Sequence, residues 1–574
     1  MFDVPAGAEL TLDSTLEENS VMVTPDTETG LINGTALEEQ YVKLALSGNG
    51  IASAKQMITS AGTLNICKGV GVVGHVGANH MSAINVTGGN LTVGGGYFGN
   101  NAVVNGTEGS VLYANGCGKV VICNAYFVKN SSNGYTGVYQ LLDLTDTATF
   151  TNCWFQGNTA VCNIGVGLVK DTTATMANCD FIENEANGAG ALQVSGTGIG
   201  GNVTLTECRF KGNEAKGNRT AEGGYESNIT RNSLGGAIVI AEKGSLTATT
   251  CTFTGNKAGS DTNPNPAGGA IYFNTSESVT FSSCNFNGNL AQASTATGKS
   301  GRGGAISNYD GTAVGTLNIL NGCTFNENVA DLRGGAISVH SGVALTISND
   351  ENSEKNTFTG NKTTESSSTG GAIVFNPNAN GTATITGIFE KNETSMTASG
   401  LGGAIASYAG AMERCVIKDS TFIGNKGGYG GAIGFSSSGH GTLENCEFAK
   451  NEALSESRGS DIAALGSKGI VRKVKLLGKI GSTDAPAHVY LSGTTTGAAT
   501  NAFNVMLYVP AILAEGSQIE FVGNAVANRY IADADDATIM NTNFTDYFII
   551  SSELSTQYKL GLSQDKQRLC VRTK

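Results

Sequence analysis

Two tetrapeptides recur along most of this 574-residue chain, with roughly 30 residues to each repeat unit. Phe-x-x-Asn occurs at Phe98/Asn101, Phe127/Asn130, Phe155/Asn158, Phe181/Asn184, Phe210/Asn213, Phe253/Asn256, Phe286/Asn289, Phe325/Asn328, Phe358/Asn361, Phe389/Asn392, Phe422/Asn425 and Phe448/Asn451. Gly-Gly-Ala-Ile begins at Gly235, Gly268, Gly303, Gly334, Gly370, Gly402 and Gly430. A near-constant period of this kind indicates stacked structural repeats rather than separate globular domains.

Within one unit the apolar residues alternate with polar ones, as in Cys251-Thr252-Phe253 and Cys323-Thr324-Phe325. Alternation with a period of two is typical of β-strands, and no segment shows a sustained helical period. Short strands joined by Gly and Asn turns at a regular spacing predict a parallel β-helix, or β-solenoid, whose turns hydrogen-bond to each other at ~4.8 Å.

Stacking explains the repetition, because every turn must place the same side chain over that of its neighbour. The phenylalanines are expected to form an inward column, and the asparagines, which tolerate a left-handed turn, are expected to bond along the stack through their amides. The glycine pair is expected at a corner that leaves no room for a Cβ. The ladder residues predicted in this way are Phe253, Asn256, Phe286, Asn289, Phe325, Asn328, Gly268, Gly269, Gly303 and Gly304.

The paired repeats resemble the passenger region of the chlamydial polymorphic membrane proteins, which is marked by Gly-Gly-Ala-Ile and Phe-x-x-Asn. The resemblance covers roughly residues 98 to 451. It implies an all-β, right-handed parallel β-helix of the pectin-lyase-like type, displayed on a bacterial surface and involved in adhesion. Members of that family also carry a leader and a C-terminal transporter barrel, which we expect to lie outside this chain.

Three regions are predicted from how regular the repeats are. Residues 1–97 carry looser turns such as Leu64-Asn65-Ile66 and are assigned to an N-terminal cap. Residues 98–469 form the repeat β-helix, and residues 470–574 are assigned to final turns and a C-terminal capping module. Caps are expected because an open solenoid end invites pairing between chains.

Composition limits the partners of the chain. A net charge of −13 and no Lys/Arg-rich run argue against binding to nucleic acid. No run of 18 apolar residues is present, so no transmembrane segment is predicted. Matches to the dinucleotide pattern at Gly69-x-Gly71-x-x-Gly74 and Gly196-x-Gly198-x-x-Gly201 are attributed to the 80 glycines, and no cofactor is predicted.

The 13 cysteines are interpreted mainly as small inward residues rather than as disulfides. Seven of them stand two residues before a ladder phenylalanine: Cys153, Cys179, Cys208, Cys251, Cys284, Cys323 and Cys446. Other turns place Gly, Ala, Asn or Ser at this position, so small size is what it requires. A disulfide such as Cys117–Cys123 stays an alternative, and no metal site is predicted because the chain has few histidines and no Cys-x-x-Cys.

A polysaccharide-acting enzyme is the main alternative function, because right-handed β-helices include pectin-acting hydrolases and lyases. Ser438-Gly439-His440-Gly441 resembles one element of the polygalacturonase site, whose other elements have no counterpart here. Glycoside hydrolysis needs two carboxylates on one face of a groove, and the strand positions offer only Asp180 and Glu447, many repeats apart. No catalytic residue is therefore predicted.

Binding is predicted on insertions between the ladder asparagine and the next glycine pair. These insertions are long in three consecutive repeats, at residues 214–234, 257–267 and 290–302. Loops on one edge of a repeat stack often carry recognition. The proposed binding residues are Arg219, Tyr225, Arg231, Asp261, Lys299 and Arg302, and the alternative is that the insertions are merely tolerated.

The sequence thus predicts a secreted, adhesin-like or structural module of the cell surface that binds host or surface proteins or glycans. A subunit of a surface filament or fibre, associating through the ends of the solenoid, is a further alternative.

Overall fold

Short β-strands follow one another through the described part of the chain in the computed structural model, and helix accounts for only 4%. The described residues are 2–13, 44–48, 50–78, 81–104, 106, 108–217, 234–259, 265–293, 298–308, 314–378, 380–397, 399–466, 469–492, 503–523 and 529–574. The chain divides into two compact units, Met1–Val279 with Gln292–Thr297 and Thr280–Ala291 with Gly298–Lys574. Parallel sheets connect successive turns within each unit, which confirms the predicted parallel β-solenoid.

The first sheet contains the strand that follows each glycine corner and the equivalent strands of the other turns, and each strand pairs in parallel with the next one of its unit. In the first unit these strands are Phe2–Val4, Ile58–Ser60, Ile84–Val86, Leu112–Asn115, Tyr139–Leu142, Gly167–Lys170, Leu192–Ser195, Ile238–Glu242 and Ile271–Thr275. In the second unit they are Ile306–Ser307, Ile337–Ser341, Ile373–Pro377, Ile405–Ser407, Ile433–Phe435, Ile462–Ala464, Ala487–Leu491, Ile519–Val522 and Phe548–Ile550.

The second sheet receives two strands from most turns, the second of which carries the ladder phenylalanine. The earlier strands of the first unit are Glu9–Leu12, Thr63–Ile66, Leu91–Val93, Val120–Cys123, Ala148–Thr151, Thr173–Ala177, Asn202–Thr206 and Ser245–Thr249. Its later strands are Leu44–Ser47, Val70–Val73, Gly96–Gly99, Ala125–Val128, Trp154–Gln156, Asp180–Ile182, Arg209–Lys211 and Thr252–Thr254. Strand Ser278–Ser282 contains residues of both units.

In the second unit the earlier and later strands of a turn are separate at first, and from Cys415 onward a single longer strand replaces them. The earlier strands are Thr316–Leu320, Ala344–Ser348 and Thr382–Ile385, and the later strands are Asn285–Asn287, Thr324–Asn326, Thr357–Thr359 and Ile388–Glu390. The merged strands Cys415–Ile423, Gly441–Ala449 and Gly469–Ile480 come next, and Phe503–Tyr508 and Tyr530–Asp533 follow.

The third sheet consists of the short strands that follow the ladder asparagines. Those of the first unit are Ala52–Ser53, Val76–Ala78, Ala102–Val104, Ser131–Ser132, Thr159–Ala160, Glu185–Ala186, Glu214–Ala215 and Lys257–Ala258. Those of the second unit are Leu290–Ala291, Val329–Ala330, Lys362–Thr363, Lys426–Gly427 and Glu452–Ala453.

Parallel pairing gives way to antiparallel pairing at the C-terminal end of the second unit. Arg568–Thr573 pairs antiparallel with both Tyr530–Asp533 and Tyr558–Leu562, so it covers the edge of the last parallel strand of the second sheet. The α-helix Ala537–Tyr547 packs nearby, and Asp536 caps it by accepting hydrogen bonds from two backbone N–H groups. Short 3₁₀ helices lie at Met412–Arg414, Glu456–Arg458 and Leu554–Thr556. Among the described residues no helix has the length and apolar character needed to cross a bilayer.

The ladder phenylalanines form one column inside each unit. Neighbouring ring centroids lie 4.5 to 5.3 Å apart and the rings are nearly parallel. The column contains Phe98, Phe127, Phe155, Phe181, Phe210 and Phe253 in the first unit, and Phe286, Phe325, Phe358, Phe389, Phe422 and Phe448 in the second. Every one of these rings is at most 3% exposed, so the column is the centre of the apolar core.

A ladder of buried amides runs beside the rings. The Oδ1 of Asn361 accepts from the backbone N–H and the Nδ2 of Asn328, at 3.1 and 2.9 Å. Its Nδ2 donates to the Oδ1 of Asn392 at 2.9 Å and to the carbonyl oxygen of Phe325 at 2.8 Å. Similar bonds link Asn101, Asn130, Asn158, Asn184, Asn213 and Asn256 in the first unit, and Asn289, Asn328, Asn361, Asn392, Asn425 and Asn451 in the second.

The amide ladder of the second unit ends on a buried carboxylate. The Nδ2 of Asn451 donates to the Oδ1 of Asp461 at 2.9 Å, and the other oxygen of Asp461 accepts from the backbone N–H and the Nδ1 of His488. All the amides donate in the same direction, so their dipoles add and the carboxylate stands at the positive end, as at a helix N-terminus. The hydrogen bond to Asp461 raises the pKa of His488.

The left-handed residue of the corner is the one before the ladder asparagine, which corrects the expectation from the sequence. Gly288, Glu327, Gly360 and Lys391 have φ between +52° and +64°. The asparagine itself is held in place by its hydrogen bonds, and the turn requires positive φ one position earlier. Lys and Glu side chains are accepted there because the position faces outward.

The glycine pair forms a corner that excludes a Cβ at both positions. A Cβ on Gly334 would lie 2.0 Å from the carbonyl oxygen of Ile337, and one on Gly335 would lie 2.1 Å from that of Gly371 on the next turn. Both contacts are far inside van der Waals distance, and the second shows that the backbone of one turn lies directly against that of the next.

The cysteines line a narrow part of the core and form no disulfide within the described part of the chain. Cys153, Cys179, Cys208 and Cys251 occupy equivalent positions on successive turns of the first unit, since the residues that follow them pair in register. In the second unit the backbone N–H of Cys284 lies 3.3 Å from the Sγ of Cys323.

Candidate functional site

The insertions chosen from the sequence are described only in part. Arg219, Tyr225, Arg231 and Asp261 lie outside the described residues. Lys299 is half-buried, and Arg302 is only 8% exposed. Four of the six proposed binding residues thus lie outside the described part of the chain, and the insertions stay a proposal.

Arg302 belongs to a column of residues that immediately precede the glycine pairs. Parallel backbone bridges connect Arg302, Arg333, Thr369, Leu401 and Tyr429 on successive turns of the second unit. The carbonyl of Arg458 continues this column by accepting a hydrogen bond from Gly430. Gly459-Ser460 thus occupies the corner that Gly-Gly occupies elsewhere.

Side chains of this column pack on the outer surface of the first sheet. Leu401 lies against Val374 and Ala406, while Tyr408, Tyr429 and Leu465 pack over them partly exposed. Tyr429 and Leu465 also pack against a second cluster formed by Ala463, Tyr490 and Val522. Small residues on the sheet make room for the column, since a Cβ on Gly434 would lie 2.5 Å from the Leu401 side chain.

Arginines flank the tyrosines of this layer. The guanidinium carbon of Arg333 lies 5.8 Å from the centre of the Tyr408 ring, and that of Arg458 lies 4.4 Å from the centre of the Tyr429 ring. Tyr429 and Tyr490 have their ring centres 5.5 Å apart. We call these five residues the arginine–tyrosine face. Four of them, all but Tyr490, are partly exposed, and the Nη1 of Arg458 is buried without a hydrogen-bond partner among the described residues.

The arginines of this face have no acidic partner among the described residues. No carboxylate oxygen of the described chain lies within 4.0 Å of the guanidinium nitrogens of Arg333 or Arg458. By contrast, Arg472 stands 4.2 Å from the Tyr508 ring centre and is paired with both Asp533 and Asp535. Arg333 and Arg458 thus differ from an arginine whose charge is neutralised inside the fold.

His340 is a buried histidine whose pKa is affected by its burial and by the arginines at one end of this region. His340 is 7% exposed, and its Nε2 lies 3.0 Å from the Oγ of Ser338. Burial, together with the charges of Arg302 and Arg333, lowers the pKa of His340 to about 3. The imidazole is therefore neutral near pH 7, and the positive charges stay on the arginines.

The residues considered for catalysis are each engaged in the fold. The carboxylate of Asp180 is 6% exposed and is bound by Arg209, whose guanidinium lies 6.0 Å from the centre of the Trp154 ring. Glu447 pairs with Lys479 at 3.4 Å. The Nδ1 of His440 lies 3.0 Å from the carbonyl oxygen of Ser438. Asp180 and Glu447 belong to different units, and each carboxylate has a basic partner of its own.

Sequence reasoning did not select the arginine–tyrosine face. Aligning the sequence repeats on their glycine corners would have shown Arg333, Tyr429 and Arg458 at the same position. Tyr408 and Tyr490 carry no such signal, because their role depends on which residues stand opposite them two turns away.

Comparison with known families agrees with this architecture. The model of the Chlamydia polymorphic membrane protein repeat matches residues 250–274 and 322–340. The first stretch contains Phe253 and Asn256 with the following glycine pair, and the second contains Phe325 and Asn328 with theirs. The chain therefore carries repeats of the polymorphic membrane protein type on a parallel β-solenoid. No curated protein matches the chain significantly.

Proposed function

We propose that this chain is an adhesin-like module of a bacterial cell surface that binds ligands on a host or another surface through the side of its β-solenoid. The match to the repeat of a family of surface proteins is the observation that carries this proposal. The solenoid supports it, because stacked turns present a long, rigid array of side chains. The same match supports an extracellular or cell-surface location, which is part of this proposal.

The arginine–tyrosine face supports binding rather than a purely structural role. Arginine and tyrosine are among the residues most enriched at the centres of binding surfaces, because they combine large contact area with directional polar groups. Arg333 and Arg458 keep their charge available, since no described carboxylate pairs with either. A merely structural surface would not require these charges.

Attachment to cells tests the function directly. Beads coated with the full chain are expected to adhere to cultured eukaryotic cells, and the double variant Arg333→Gln/Arg458→Gln is expected to reduce adhesion strongly. Arg472→Gln is the matched control, because that arginine also lies over a tyrosine but is already paired with Asp533 and Asp535. If uncoated beads and coated beads adhere equally, the adhesin proposal is wrong.

The three insertions at residues 214–234, 257–267 and 290–302 remain a second proposed contact. Trimming them to the length found in the shorter repeats should reduce adhesion without lowering the melting temperature, since loops on a solenoid edge tolerate changes in length. Unchanged adhesion of the trimmed chain would show that they are tolerated insertions.

A further inference from the structure

We propose that the arginine–tyrosine face binds an acidic glycan, with the arginines on its carboxylate or sulfate groups and the tyrosine rings under its sugar rings. This inference rests on the proposed adhesive function and specifies the class of ligand.

The order of the residues along the solenoid favours an elongated ligand. Arg333 precedes the corner at Gly334 and Arg458 the corner at Gly459, with the corners at Gly370, Gly402 and Gly430 between them. Four rung steps at ~4.8 Å place their backbones roughly 19 Å apart. Tyr408 and Tyr429 lie between the two charges, so the face alternates charge, rings and charge along the axis.

The arginines are oriented for an anion before it binds. Each guanidinium lies near a tyrosine ring, which restricts its motion without consuming its hydrogen-bond donors. A planar guanidinium in such a position can bind a carboxylate or sulfate through two parallel N–H groups. The nearest acidic residues in sequence do not compete: Asp331 is 1% exposed, and Glu456 lines a cavity with His488 and Glu520.

The aromatic part of the face fits sugar rings. Tyr408 and Tyr429 are partly exposed and rest on an apolar floor that includes Val374, Leu401 and Ala406. A pyranose ring has an apolar face that packs on such a ring, and its hydroxyl groups reach the tyrosine hydroxyls and water. Burial lowers the pKa of His340 most, and the charges of Arg302 and Arg333 lower it further, which agrees with a positive field at the Arg333 end.

An acidic peptide would also carry the negative charge that the two arginines can bind, but the fold favours a glycan. Peptides commonly bind sheets by adding a strand to an open edge. The described strands of the first sheet under this face are paired on both sides from Ile337–Ser341 to Ile519–Val522. The face therefore offers side chains and no backbone edge.

Calorimetric titration of the full chain tests the inference with four probes: polygalacturonate fragments, dextran sulfate, uncharged dextran and polyglutamate. We expect binding of the first or the second and none of dextran. Polygalacturonate alone would assign carboxylate recognition, and dextran sulfate alone would assign sulfate recognition. Arg333→Gln/Arg458→Gln should weaken binding at least about tenfold. Tyr408→Leu should weaken glycan binding while leaving any polyglutamate binding unchanged.

Three outcomes would overturn the inference: neither charged glycan binds, polyglutamate binds as tightly as the glycans, or Arg472→Gln weakens glycan binding as much as the double variant. Circular dichroism must show that each variant is folded. If coated beads adhere to cells but no charged glycan binds, this inference fails and the adhesive function stands. If the glycans bind but the beads do not adhere, the adhesive function fails instead.

Discussion

At the scale of single residues, asparagine suits the corner because its side chain can both donate and accept hydrogen bonds to the neighbouring turns. Asn361 is 0% exposed and still satisfies four hydrogen bonds, two through Oδ1 and two through Nδ2. Aspartate would lack the donors, and an apolar side chain would leave neighbouring groups without partners. A buried polar group is tolerated only when it is satisfied in this way.

Asn361→Ala should therefore be far more costly than the loss of one side chain on the surface. The change removes the acceptor of the backbone N–H and of one Nδ2 hydrogen of Asn328, and it removes one of the donors to the Oδ1 of Asn392 and to the carbonyl oxygen of Phe325. Buried groups of this kind cost roughly 1–3 kcal/mol each, so we expect the free energy of unfolding to fall by at least about 3 kcal/mol. Urea unfolding measures it, and exposed Asn380→Ala, the control, should stay within about 0.5 kcal/mol of wild type. Equal effects of the two changes would contradict the amide ladder.

His340 should make the second unit less stable in mild acid. Its folded pKa of about 3 lies below the ordinary value of 6.5, so the unfolded chain takes up a proton that the folded chain does not. Stability is therefore lost as the pH falls from about 6.5 towards 3, and the loss amounts to about 2 kcal/mol at about pH 5. Comparing urea midpoints at about pH 5 and pH 7.5 should show a smaller acid effect in His340→Asn than in wild type. An identical acid effect in the two proteins would show that His340 does not titrate in this way.

At the scale of the turn, a glycine of the pair and a glycine before the ladder asparagine should differ greatly in how well they tolerate substitution by alanine. Gly335→Ala would place a Cβ 2.1 Å from the carbonyl oxygen of Gly371, and we expect a loss of at least about 3 kcal/mol. Gly288 has φ +61°, and a Cβ added to it would have no atom within 4 Å, so Gly288→Ala should cost only about 1–2 kcal/mol. Melting temperatures of the two variants test the difference, and a smaller shift for Gly335→Ala would contradict the close stacking of turns.

The strands and corners of the fold could be predicted from the sequence repeat, whereas the arginine–tyrosine face could not. The period, the phenylalanine column and the glycine corner follow from residues that every turn must share. The left-handed position was assigned to the asparagine because Asn tolerates it, whereas Glu327 and Lys391 adopt it instead. Tyr408 and Arg333 meet only because their turns are stacked two steps apart, and this depends on loop lengths that no local pattern specifies.

At the scale of the whole molecule, the cysteines indicate a fold that needs no covalent links. Stacked turns satisfy their backbone groups through the neighbouring turns, and the small Cys side chain fills the space beside the phenylalanine column. Burial raises the pKa of Cys415 to about 11 and that of Cys446 to about 12, so these thiols carry almost no reactive thiolate near neutral pH.

Thiol labelling tests this for all 13 cysteines at once. Only Cys67, Cys123 and Cys162 are partly exposed, so iodoacetamide should modify at most these three in the native protein. After unfolding in urea without a reductant, mass spectrometry should find all 13 modified, because none is held in a disulfide. The Cys117–Cys123 alternative makes the opposite prediction, since both sites would stay unmodified until a reductant is added. Rapid native labelling of Cys415 or Cys446 would contradict the closed core, because either thiol must leave its turn to react.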